Sequence, residues 1–438
     1  MDSIAIVVLD TLRYDSFQEH FGWLKGKKYT NAYSTSHWTI PAHASLYTGK
    51  YASEVGVQST DVFLECEDKT IAEVFSAEGY TTSMMSANPN IYMWPGWTRG
   101  FDNTVGPSHL KPGSEELVDW QKFYAENDKE GFLKYINAVK HCIKSDKNTT
   151  KSIISGLKTA YGVTENGAEN IHERVKQTNY EGEEFLYINL MDAHTPYNPP
   201  KRYTDCDVPV DVVVADAFAE NVDNEEEIKQ AYTDACAYLS DVYQNIFQEL
   251  KKDFDYIITL SDHGEMLGEF GMWNHSYGLY PELVHVPLVI SGDDIEDETE
   301  NTIVSLLDVH KTACELAGIN VESRGQDLLD EPESKSRLFE YRGFLHWHRD
   351  QFEREGVNTE VYEPRDTALD GFISSSSDYV YQTHDEGLRV SGSLTTAEAN
   401  EQLEKLVEDI DRKKMGSEQD LSGVSDEVRQ QLEDLGYA

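Results

Sequence analysis

No segment of this chain holds about 18 uninterrupted apolar residues, so no membrane-spanning helix is expected from it. Basic residues are scarce: 37 Lys and Arg stand against 80 Asp and Glu, a formal net charge of −43. So negative a field argues against nucleic-acid backbones and anionic membrane surfaces as partners. The acid is spread along the chain, which suits the solvated surface of a halophilic protein better than a disordered tail. The cysteines Cys66, Cys142, Cys206, Cys236 and Cys314 are odd in number and never spaced CxxC. That pattern excludes a disulfide framework and a zinc knuckle and fits reduced thiols. A leader with a basic start, an apolar core and a cleavage site is missing too, so a cytoplasmic location is expected. Oligomeric state has no signature in the sequence.

What the chain does have is length for a large core and a set of apolar runs that end in polar clusters. At 438 residues, one large domain over 1–330 and a smaller part over 331–438 is the expected division. Asp255–Gly268 reads DYIITLSDHGEMLG. Its Tyr256–Leu260 run is too short for a typical helix and suits a strand buried on both faces, closing at Asp262-His263. Ile4–Leu9 is a similar run that ends at Asp10-Thr11, and Phe185–Met191 another that ends at Asp192-Ala193-His194. Ligands of open α/β sheets bind beyond the carboxyl ends of the strands, so these ends are candidate ligand sites. Each has a plainer reading: Asp10 or Asp262 as a helix N-cap, and His194 as a structural histidine.

Thr35–Gly49, TSHWTIPAHASLYTG, places Thr39 just before a helix expected to open near Pro41. A hydroxyl there either contacts an anion at the helix start or serves as the N-cap. Thr70–Gly79 reads as a helix and Tyr80–Ser86 as a strand leading to Asn88, itself either a site residue or a turn residue beside Pro89. Residues 110–180 read as a helical insert with Phe132, Ile136, Val139 and Ile143 on one face. Over 111–180 there are 11 basic and 10 acidic residues, a near-neutral patch suited to a lid over an anion site. Thr233–Leu250 reads as a helix, Val286–Ile290 as a strand, and 371–374 and 378–381 as strands of a small C-terminal sheet. Thr395 with Glu398 makes a capping box ahead of a tail helix. His285 and His310 are read as structural.

The order and spacing of VVLDTLR, WTIPAHASLYTG, MDAHTPYNPP and LSDHGEMLGE resemble the sulfatase family of the alkaline phosphatase superfamily. The resemblance implies an α/β fold with a mostly parallel central sheet flanked by helices, and a small C-terminal α+β subdomain. It also implies one divalent cation on Asp10, Thr39, Asp262 and His263. Oxygen-rich ligation favours Mg²⁺, Mn²⁺ or Ca²⁺, and the imidazole admits Zn²⁺. Carried over residue by residue, Thr39 stands at the nucleophile, and His43, Asn88, His194 and His275 contact the anionic ester. His194 or His275 then protonates the leaving alcohol.

The chain departs from the sulfatase pattern at two places. Thr39 replaces the Cys or Ser that becomes formylglycine, and His43 replaces the motif's Arg. Formylglycine releases sulfate from a hemiacetal without a second attack at sulfur, an exit threonine lacks. A Thr nucleophile resembles the phosphoryl-handling relatives, so hydrolysis of phosphate or phosphonate esters through a Thr39 intermediate is the expected activity. The substrate would be a small-molecule or glycan-linked anionic ester. Transfer of a phosphoryl group to a glycan or lipid hydroxyl is the first alternative. Sulfate ester hydrolysis and a catalytically silent binding protein are the others.

Overall fold

The computed structural model describes residues 2–59, 61–107, 110, 167–218 and 222–413. The apolar face expected from Phe132 to Ile143 and the last segment of the tail lie outside the described residues. The main sheet is formed by β1 (Ile4–Leu9), β2 (Lys27–Tyr33), β3 (Thr81–Ser86), β4 (Asn103–Val105), β5 (Glu184–Leu190) and β6 (Tyr256–Leu260) with two later strands. Between them a short ribbon pairs β7 (Met266–Leu267) with β8 (Trp273–Asn274). The main sheet then takes β9 (His285–Gly292) and β10 (Glu298–Ser305), giving the order β10-β2-β9-β6-β1-β5-β3-β4. β9 alone runs against its neighbours, antiparallel to both β2 and β6, so the sheet is mostly parallel.

Period-2 alternation explains how β1 serves two layers. Ile4, Ile6 and Val8 point to one face and pack with the helices Thr39–Thr48, Ile71–Ala77 and Leu306–Leu316. Ala5, Val7 and Leu9 point to the other and meet the helices Tyr14–His20, Gly167–Gln177 and Glu225–Leu250. A strand covered on both faces needs no polar residue until it leaves the sheet, which is why β1, β5 and β6 read as apolar runs. Neighbours β3, β5, β1 and β6 are parallel, so their carboxyl ends line one edge.

The plainer readings of two strand ends do not hold. Asp10 caps no helix, because the following helix Tyr14–His20 has Arg13 as its N-cap. Asp262 caps none either, because the β7–β8 ribbon follows it. The helix expected to open near Pro41 begins two residues earlier, at Thr39, with Trp38 as its extended N-cap and no side-chain cap bond. Pro41 is tolerated inside the first turn because no N–H there has an intrahelical partner to lose. The helix expected from Thr233 runs from Glu225 to Leu250.

The smaller sheet orders β11 (Arg337–Arg342), β12 (Ala368–Ile373), β13 (Tyr379–Thr383) and β14 (Gly387–Ser391) antiparallel. One face packs Leu338, Phe372 and Val380 on Ala399 and Leu403 of the helix Thr396–Glu408, whose Thr395–Glu398 capping box is present. Several contacts tie this sheet to the main domain, among them the following two. Ser36 Oγ donates to the Glu340 carbonyl at 2.7 Å, and Arg337 Nη2 donates to both carboxylate oxygens of buried Asp308 at 2.7 and 2.8 Å. Removing one partner of a buried pair leaves the other charge uncompensated. Arg337→Leu is therefore expected to destabilise the protein by about 3–5 kcal/mol, read as a lower denaturation midpoint in urea.

Among the described residues, Cys66, Cys206, Cys236 and Cys314 are all free thiols. No helix of these residues is long and apolar enough to cross a membrane.

Candidate active site

Five segments converge at the carboxyl edge of the sheet. β1 delivers Asp10, the helix Thr39–Thr48 starts on Thr39, β3 leads to Asn88, β5 carries Asn189 and leads to His194, and β6 delivers Asp262 and His263. One ligand atom each from buried Asp10, Asp262 and His263 lies within 4.8 Å of the other two. The His263 Nε2 atom is 3.7 Å from Asp10 Oδ1, 3.6 Å from Asp262 Oδ2 and 3.3 Å from Thr39 Oγ1. The Thr39 hydroxyl therefore lies beside His263, a residue distant from it in sequence.

Backbone geometry holds the edge in place. Thr11 takes the left-handed conformation at φ 64°, unusual for a β-branched residue and a local strain at the site. Its N–H points at Asp262 Oδ1, 3.4 Å away, and its carbonyl accepts from the Tyr232 hydroxyl at 2.9 Å. Asn88 has two jobs. Its Oδ1 accepts from the Asn90 N–H at 2.8 Å and so shapes the turn. Its Nδ2 donates to Asp10 Oδ2 at 2.7 Å and reaches Thr39 Oγ1 at 3.4 Å.

The histidines share one feature. His263 Nδ1 donates to the Gly264 carbonyl at 2.9 Å, His43 Nδ1 to the Thr39 carbonyl at 3.0 Å, and His194 Nδ1 to the Thr195 carbonyl. A carbonyl only accepts, so each Nδ1 carries the proton, and in the neutral ring Nε2 is the unprotonated nitrogen. Burial drives His43 and His194 down to about 4 and His275 well below its ordinary value, so these rings are neutral near pH 7.

Burial also raises the Asp10 carboxyl, but the neighbouring imidazoles and the Asn189 amide outweigh it and hold it at about 2. With those rings neutral, the amide donors Asn88 and Asn189 (the latter 3.0 Å from Asp10 Oδ2) keep Asp10 ionised. Asp262 goes the other way: burial, and then the charge of Asp10, push it well above the usual carboxylate range. Two buried carboxylates side by side are a poor arrangement for a protein without a cation and a good one for holding it. Asp262 Oδ2 and Asn189 Oδ1 are buried and accept no hydrogen bond among the described residues. The Asp262 oxygen, 3.6 Å from His263 Nε2, suits a divalent ion.

His43 lies beneath the cluster. It is fully buried, with Nδ1 3.4 Å from Asp262 Oδ2 and Nε2 3.4 Å from the Asn189 amide. His194 and His275 do face open space: with His37, Trp38, Asp211 and His348 they line a cleft beside the cluster. Their rings meet edge to face at 4.9 Å, and the His275 ring is 4.7 Å from that of His263. His285 lies elsewhere, stacked on Tyr14 and Tyr33, and His310 is buried in the helix Leu306–Leu316.

Two residues in the cluster were not singled out from sequence. Asn189 had a signal: it is the polar residue of FLYINLM, in a strand otherwise buried and apolar. Glu265 had a weaker one, following the Asp-His pair as the last residue of SDHGE. It is fully buried with His275 Nδ1 3.1 and 3.2 Å from its two oxygens.

A family model described as Sulfatase matches residues 21–319. A choline-sulfatase of Rhizobium meliloti is 23% identical over 342 residues, 68% of this chain and 62% of the relative. A low-salt glycan biosynthesis sulfotransferase of Haloferax volcanii is 27% identical over 130 residues, 27% of this chain and 32% of the relative. Among solved structures, a phosphonate monoester hydrolase of Agrobacterium radiobacter superposes with a TM-score of 0.59 at 16% identity, covering 99% of this chain and 95% of that one. That likeness is one of fold, an α/β layer structure.

Proposed function

The chain belongs to the sulfatase family, and from that premise we propose that it hydrolyses phosphate or phosphonate esters through a covalent intermediate on Thr39. The observation that supports the reading is the place of Thr39: its hydroxyl sits 3.3 Å from His263 Nε2 and 3.4 Å from Asn88 Nδ2, which itself donates to Asp10. A threonine there can attack, but it offers no second hydroxyl through which to expel sulfate.

Asp10, Asp262, His263 and Thr39 would hold one divalent cation, with the carbonyl oxygen of Asn189 beside them. Such an ion supplies charge neutralisation at the transferred group and a lower pKa for the hydroxyl. The remaining steps belong to the chain's own residues. Thr39 Oγ1 bonds to phosphorus as the bond to the leaving alcohol breaks in line. The Thr39 proton passes to a bare Nε2 of the His194–His275 pair, and from there to the departing oxygen. Water then attacks phosphorus, the Thr39–phosphorus bond breaks, and the proton runs back to Thr39. Asn88, whose Nδ2 already reaches Thr39 Oγ1, is placed to donate to an oxygen of the transferred group. His43 is neutral and enclosed, and it would act by orienting Asp262 and Asn189 in place of the guanidinium of other family members.

A panel of phosphodiesters, phosphonate monoesters, phosphomonoesters and sulfate esters, each with Mg²⁺, Mn²⁺, Ca²⁺ or Zn²⁺, tests this reading. The expected result is a higher kcat/KM for the phosphorus esters with at least one of these ions and loss of turnover in chelator. Faster turnover of sulfate esters would overturn it.

A transferase reading draws on the Haloferax volcanii relative, whose printed name is that of a glycan sulfotransferase. In that case a glycan hydroxyl takes the place of water in the second step. Adding methyl glycosides to the same assays distinguishes the two by product: a new glycoside ester for transfer, the free acid for hydrolysis.

A further inference from the structure

His275 differs from the other site histidines in what its Nδ1 meets. The others donate to backbone carbonyls, whereas His275 faces the carboxylate of Glu265, with oxygens at 3.1 and 3.2 Å. Burial raises the Glu265 carboxyl to about 7, against the lowering by nearby imidazoles and the Tyr197 hydroxyl, and both of its oxygens lie on one imidazole nitrogen, the geometry of an ionised acceptor. Glu265 is itself held from several sides. The Tyr197 hydroxyl donates to its Oε2 at 3.3 Å, and the Arg13 guanidinium donates to its backbone carbonyl at 3.0 Å. The backbone of His275 is fixed separately: Asn274, at φ 66°, accepts the His275 N–H on its Oδ1 at 2.6 Å and anchors to the Val212 carbonyl at 2.9 Å. A buried carboxylate with both oxygens on one imidazole edge is costly to bury without that partner.

We propose that Glu265 is a positioning residue, which holds His275 in its Nδ1–H tautomer so that the bare Nε2 faces the cleft as the proton acceptor. The chemical consequence rests on the ester-hydrolase reading above. When water attacks the group on Thr39, its oxygen bonds to phosphorus, one proton goes to His275 Nε2, and the Thr39 oxygen leaves and recovers that proton. The wrong tautomer would present an N–H where a lone pair is required, as in triads whose orienting acid is replaced. A histidine paired with a carboxylate ten residues away in sequence is thus given one orientation by tertiary packing, a role backbone carbonyls play for His194 and His263.

The test uses the full chain loaded with Mg²⁺, with ¹⁵N-labelled histidine and His275→Gln to assign the signal. In the parent protein the His275 Nε2 shift is expected to be that of an unprotonated nitrogen. In Glu265→Gln the signal is expected to move toward the Nε2–H form, with kcat lower by about 10²–10⁴-fold and KM within about threefold. Glu265→Asp should recover part of the loss. A His275 already protonated on Nε2 in the parent protein, or Glu265→Gln with an unchanged signal and kcat within threefold, would overturn the assignment. If Glu265→Gln does not fold, Tyr197→Phe provides the second variant: a partial shift of the same signal is expected, and none would count against the proposal. The nitrogen signal is read without turnover, so the assignment can fail or stand apart from the choice of ester.

Discussion

Thr39→Ala is expected to lower kcat/KM toward phosphorus esters by about 10⁴-fold or more, with a thermal midpoint close to that of the parent. The loss is large because a covalent route disappears with its nucleophile, and the remaining groups then act only on bound substrate and water. The fold is expected to survive because Thr39 begins its helix without a capping bond from its side chain, and alanine is the strongest helix former. Thr39→Ser keeps the hydroxyl and should retain activity within about tenfold of the parent, well within the range spanned by single catalytic contacts. Acid-quenched mixtures of the parent enzyme should contain a phosphorylated peptide that includes Thr39, absent from the alanine variant. Equal turnover in Thr39→Ala would remove Thr39 from the chemistry.

Asp262→Asn is expected to separate stability from function. Burial and the charge of Asp10 push the Asp262 carboxyl well above its ordinary range, so without a cation the site either crowds two charges or must take up a proton, and both cost stability. An amide in place of Asp262 removes that cost. The metal-free variant should melt above the metal-free parent, by about 1 °C for each kcal/mol recovered. Added cation should reverse the order. At a concentration of 100 times Kd, binding stabilises the parent by about 2.7 kcal/mol, while the variant gains much less. Turnover should fall by about 10³-fold, as expected when preorganised charge stabilisation is lost. Thermal melts in chelator and in a cation series, with calorimetric titration, measure each quantity. A variant stabilised by the cation as strongly as the parent would take Asp262 off the ion.

Legibility from sequence followed the physics of each element. Tyr256–Leu260 and Ile4–Leu9 were readable to the residue, because strands covered on both faces have to be apolar and have to stop where polar side chains begin. The start of the helix Glu225–Leu250 was expected late, at Thr233. The start signal stood in the chain, Asn224 ahead of three glutamates favourable to the helix dipole, and went unread; in the structure Asn224 adopts φ 64° and makes no capping bond, so the glutamates and not the cap start the helix. The helix at Thr39 was displaced because the extended residue before it is a tryptophan rather than a small polar cap. Asn88 was offered two readings and holds both, because an amide has an acceptor for the turn and a donor for the site.

The chain's own residue order determined which strand ends carry Asp10, His194, Asp262 and His263. Alternation and burial confine such residues to strand ends, so a linear reading finds them. Folding alone decided the partners: Asn189 on Asp10, His43 beneath the carboxylates, Glu265 on His275, and His348 of the small sheet's region lining the cleft. These contacts depend on strand order, register and the approach of distant segments, none of which has a local signature in the chain.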